Sequence, residues 1–136
     1  MSRGTVLGGW TLVVLFAIGG AALDETVPPE VLNYRSEYEA AVRAADDNLQ
    51  RVQRGLELTY ADKLRQLMYA MQYAGRIRDL ISIYDEYVRF QTKRALPTPT
   101  PAMEPPELRL LAEEHVKAVR TAEYSNHVAV ARAAAT

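Results

Sequence analysis

The residues able to do chemistry are few. His115 and His127 are the only imidazoles in a chain of 136 residues, and cysteine is absent. Glu123 and His127 stand four apart, so on one helix both could face a single ion. A metal site needs three or four convergent ligands with supporting partners, and the Glu-x-x-His pairs of di-iron bundles are missing. Asp46-Asp47 and Glu113-Glu114 offer paired carboxylates for acid–base work. Neighbours on a helix point about 100° apart and do not face each other, so they read as solvated positions. Ser36, Ser82 and Ser125 lack a nucleophile elbow, and His127 near Ser125 on the same helix does not supply the geometry of an activated serine. Gly55 and Gly75 stand alone, so no glycine-rich loop cradles a phosphate. We therefore expect no catalytic residue, no cofactor, no metal and no small-molecule substrate. His115 is expected to be a packed or surface side chain.

Composition narrows the partners. Lys plus Arg number 16 against 17 for Asp plus Glu, a net charge of −1, which argues against nucleic acid. Without cysteine there is no disulfide framework and no thiolate nucleophile. Arg76, Arg78, Arg89, Lys93 and Arg94 make one stretch locally basic, and Asp79, Asp85 and Glu86 offset it. Tyr34/Tyr38 and Tyr69/Tyr73 could form a strip for peptide or glycan; packing within helices is the expected role. Eight tyrosines against two phenylalanines suit seams where the ring is hidden and the hydroxyl stays wet.

The elements that carry these residues are helices. Val27-Pro28-Pro29-Glu30 is a helix-start signature, because proline fixes a helical φ and needs no donor in the first turn. The apolar positions Tyr38, Val42, Ala45, Leu49, Val52, Leu56, Tyr60, Leu64, Leu67, Met71 and Ala74 alternate mostly by fours and threes, the stripe of a helix that packs on other helices. Three fours in succession from Val52 to Leu64 resemble a stutter. Gly75 ends this helix by accepting the left-handed conformation. A second helix follows with Ile77, Leu80, Ile81, Tyr84, Tyr87 and Val88 expected on one face. The fold class is thus all-α, a long antiparallel helical hairpin over 28–94.

Residues 95–105 alternate proline with threonine and read as an extended linker, and a third helix is expected over 106–136, beginning at Pro106 or Glu107 and fraying at its alanine-rich end. Shifting the chain by 77 residues lays Pro28-Pro29-Glu30 on Pro105-Pro106-Glu107 and Ala41-Val42-Arg43 on Ala118-Val119-Arg120, so this helix reads as a partial repeat of 28–45. A first helix of about 45 residues is roughly 68 Å long, and a second of about 14 is roughly 21 Å. The second can cover only the part of the first nearest the turn. Tyr38, Val42, Ala45, Leu49, Val52 and Leu56 remain as an interaction stripe. A linker reach of roughly 46 Å suggests that the third helix lies beside this stripe, roughly parallel to the first. The competing occupant is another protomer or a protein partner.

Val6 to Leu23 carries no charge and follows Arg3. With Gly20 and Ala22 before a cut it reads as a signal peptide over 1–22, or as an uncleaved membrane anchor if 6–23 remains. Either sends the rest of the chain across a membrane, to a periplasmic or secreted location.

The pattern Pro-Pro-Glu, long helix, then Ala74-Gly75-Arg76-Ile77 and a short helix resembles a helical-hairpin, coiled-coil-like repeat of uncharacterised secreted and surface bacterial proteins. The likeness runs from Pro28 to Phe90. It implies an extracytoplasmic helical module and no reaction, with the turn at Gly75, Ile77 and Asp79. Arg76 and Arg78 stand where the family has acidic residues, which leaves Asp79 as the expected cap. The expected function is a non-catalytic interaction or scaffolding protein; a periplasmic holdase-like chaperone is the alternative.

Overall fold

A computed structural model describes residues 27–135. The segment over 1–22 expected to be a signal or anchor lies outside them. The described residues are helical apart from their connections: α1 spans Pro29–Tyr73, α2 Ile77–Lys93 and α3 Pro106–Ala135. The architecture is all-α. None of these helices is long and apolar enough to cross a membrane.

The chain divides into two units, one ending at Ala40 and one beginning at Ala41. In the first unit, α1 opens as Pro28 accepts the amides of Val31 and Leu32 at 3.1 and 3.2 Å. The start of α3 repeats this arrangement: Pro105 accepts Leu108 and Arg109 at 3.0 and 3.2 Å. Both Pro-Pro-Glu segments thus place a proline where no amide is needed.

The second unit is built on a tight hairpin. Gly75 has φ 72°. The Arg76 amide donates to the Met71 carbonyl at 2.9 Å and the Gly75 amide to Gln72 at 3.1 Å. This pair of bonds satisfies the last carbonyls of α1 and requires a left-handed residue between them. Tyr60, Ala61, Leu64 and Met71 of α1 pack with Ile83 and Phe90 of α2 and Leu108 of α3 in one buried cluster.

The position of α3 corrects the parallel arrangement suggested by the repeat. Arg76 pairs with Glu107 at 3.1 Å, Lys63 with Glu114 at 3.2 Å, and the Asn126 amide donates to Asp46 at 3.3 Å. Residue numbers rise along α3 as they fall along α1, so the two are antiparallel. The linker doubles back along α2 to the turn end of the hairpin. It is anchored by Arg89, whose guanidinium donates to the Ala95 carbonyl at 3.3 Å, and by Arg109, which donates to Pro101 at 3.0 Å. Linker reach limits how far a helix can be carried but does not choose its direction. The direction goes with burial of Leu108, Ala112, His115, Val116 and Val119 against the hairpin. At its alanine-rich end α3 continues to Ala135.

Candidate functional site

The polar side chains of the core form one network. Glu86 is on the inward face of α2 and only 8% exposed. Arg89, one turn later, clamps it with Nε on Oε2 and Nη2 on Oε1, both at 2.7 Å. The Tyr60 hydroxyl of α1 donates to Oε1 at 2.9 Å. A charge-assisted bidentate pair with an added phenol donor satisfies this buried carboxylate. Burial and the adjacent carboxylate push the Tyr60 phenol far above its ordinary range. It is a fixed donor and cannot serve as a base near neutrality.

His115 of α3 completes the cluster. Its ring stacks on Tyr60 with centroids 4.4 Å apart and meets Phe90 edge-on at 5.6 Å; Tyr60 and Phe90 are themselves edge-on at 4.8 Å. Burial lowers the His115 pKa, while the charges of Glu57 and Glu86 pull the other way. The ring borders a groove of about 100 Å³ between α1 and α3, also lined by Leu56, Lys63, Leu111 and Ala118. Thr59 and Glu114 share that groove with the ring, and Glu114 is paired with Lys63 at 3.2 Å. Among the described residues, no three His, Asp or Glu side chains converge on a metal-sized site. His127 is exposed on α3.

The predicted stripe divides between environments. Tyr38, in the first unit, is exposed. In the second unit Val42, Ala45, Leu49 and Leu56 are half-buried and Val52 is more open. Ala45, Leu49 and Val52 face Ala122, Ser125 and Ala129 of α3 across a groove of about 180 Å³. Small α3 residues leave that space. The Asn126 Oδ1 beside it is buried without a hydrogen-bond partner. The tyrosine pairs are not packed as expected: Tyr34, Tyr69 and Tyr73 are exposed, Tyr73 almost completely.

The turn residues separate too. Gly75 makes the turn and Ile77 begins α2 with its side chain exposed. Asp79 is not the cap. Arg76 occupies that position and makes no side-chain cap bond. The Asp79 carboxylate, in the first turn of α2, instead accepts Arg76 Nε at 2.8 Å. The basic stretch is largely neutralised, with Arg76 on Asp79 and Glu107, Arg89 on Glu86, and Arg94 on Glu57.

The single apolar face expected on α2 is two faces. Leu80, Ile83, Tyr87 and Phe90 point into the core. Ile77, Ile81, Tyr84 and Val88 point outward. The spacing of both sets is visible in the sequence, four-three-four for the outward one and three-four-three for the inward one. Reading them together hid Glu86, whose place three residues after Ile83 and four before Phe90 puts it on the inward face. No family model matches the chain, and neither the curated proteins nor the solved structures contain a match.

Proposed function

We propose that the chain is a non-catalytic helical interaction module that docks a helix of another protein on the opening turns of α1. The observation that carries this reading is the exposure of Val31, Tyr34 and Tyr38, which continue the apolar stripe of α1 through the first unit. Residues at spacings of three, four and seven form the anchor pattern by which one amphipathic helix receives another. Two tyrosines among them supply large rigid contact area at low conformational cost. The ionisable groups of the core are engaged with each other, which supports a structural role for them. An exported location rests on the charge-free segment 6–23 and its Arg3 flank. A partner across the membrane is then the one to seek.

A photo-crosslinking amino acid placed at Tyr38 tests the docking face in cells. We expect an adduct with one other polypeptide, lost when Val31 and Tyr34 are both changed to Asp. Equal adducts from the same probe at Glu37, off the stripe, would overturn the reading.

A further inference from the structure

The outward face of α2 is self-complementary. Ile77, Ile81, Tyr84 and Val88 are 55%, 56%, 55% and 43% exposed, and their spacings of four, three and four are those of a coiled-coil seam. The pattern reads the same backwards. Set against a second α2 running in the opposite direction, Ile77 meets Val88, Ile81 meets Tyr84, and the two remaining layers repeat these contacts by symmetry. Every apolar position finds an apolar partner with no gap or overhang.

The charges agree with that register. Arg78 and Asp85 follow Ile77 and Tyr84 directly, at the flanking positions that meet each other across an antiparallel pair. Reversal brings Arg78 of each copy to Asp85 of the other, so two opposite-charge pairs bracket the seam. Neither residue has an ion pair within its own chain among the described residues, whereas Arg76, Arg89 and Arg94 nearby are all engaged. A parallel alignment would put the Arg78 and Asp85 positions of the two copies on opposite flanks of the seam and form neither pair. The charges therefore favour the antiparallel orientation.

We infer that the outward face of α2 is a homodimer interface in which two copies of the chain pair antiparallel about a two-fold axis near Ile81 and Tyr84, through Ile77, Ile81, Tyr84 and Val88. A two-fold interface must be complementary to itself, and both the apolar and the charged positions of α2 satisfy this. Four side chains per copy make a small contact, so the dimer is weak and concentration-dependent. It uses a different helix from the α1 docking face, and each can exist without the other.

Sedimentation velocity on the full chain across a concentration series tests this, with charge reversal to identify the face. The native chain moves from monomer to dimer as concentration rises. Arg78→Asp alone, or Asp85→Arg alone, sets like charges opposite each other at both pairs and weakens the dimer by roughly tenfold or more. An equimolar mixture of the two variants restores opposite charges and recovers dimer as a heterodimer. Ile81→Asp abolishes it, and since Ile81 is exposed the helical circular dichroism of that variant is unchanged. This separates the α2 face from any association through residues 6–23. A native chain that stays monomeric overturns the inference, as does a dimer insensitive to the single reversals or a mixture that shows no recovery.

Discussion

A buried imidazole with no hydrogen-bonded carboxylate of its own couples the fold to pH. His115 is 7% exposed, and burial lowers its pKa against the smaller opposing pull of Glu57 and Glu86. The folded chain therefore resists a proton that the unfolded chain accepts at the ordinary histidine value near 6.5. The neutral ring's full contribution to stability is present above that value. It is lost as pH falls from about 6.5 toward the lower folded value. We expect the urea midpoint to fall between pH 7 and pH 5, and the fall to be smaller in His115→Phe, which keeps an aromatic ring against Tyr60 and Phe90. A midpoint with the same pH slope in both proteins would refute the assignment. The sequence read His115 as a packed or surface side chain. It could not supply the rings that hold it, because Tyr60 and Phe90 lie on two other helices, and their meeting depends on the direction taken by α3.

Helix boundaries were the most legible feature at the level of elements. Proline at Pro29 and Pro106 and glycine at Gly75 each act through the backbone alone, so their effect survives any tertiary context. Faces were less legible. On α2 the inward and outward apolar positions adjoin over about half the circumference, and periodicity alone cannot divide them when both alternate threes and fours. The capping role expected of Asp79 failed because Arg76 holds the cap position, which leaves Asp79 inside the first turn of α2, bonded to Arg76 at 2.8 Å. Gly75 gives the sharpest test at this scale. A Cβ there would meet nothing within 4 Å, so the cost of Gly75→Ala is conformational, from φ 72°. We expect a loss of roughly 1–2 kcal/mol in urea unfolding. Gly55→Ala, in the interior of α1 with equally open space, should stabilise by roughly 0.5–1 kcal/mol. Opposite signs for the two substitutions are the expected result; equal signs would mean that the left-handed turn is not what distinguishes Gly75.

For the molecule as a whole, the direction of α3 separates two arrangements of the same three helices. The internal repeat suggested that the third helix copies the direction of the first, but similarity of sequence fixes an element's own cap and stripe without fixing its orientation. The antiparallel register follows from contacts that no local window contains. Cysteines at Asp46 and Asn126, whose native side chains touch at 3.3 Å, should form an intramolecular disulfide in the oxidised chain. The pair Val42→Cys with Val119→Cys, which a parallel α3 would bring together, should not. Mass spectrometry under non-reducing conditions reads both, and the reverse result would reject the antiparallel bundle.

Doubling back to the hairpin turn also sets an order of assembly. The Arg76–Glu107, Lys63–Glu114 and Asp46–Asn126 contacts span 31, 51 and 80 residues respectively. Each closes a longer loop than the one before, but once the first has formed the next needs only a few turns of helix to be laid down. Docking of α3 is therefore expected to zip from the turn outward, with thermal opening in the opposite direction. The far end, where alanines and a serine face Ala45, Leu49 and Val52 across unfilled space, should be the part whose amides exchange first.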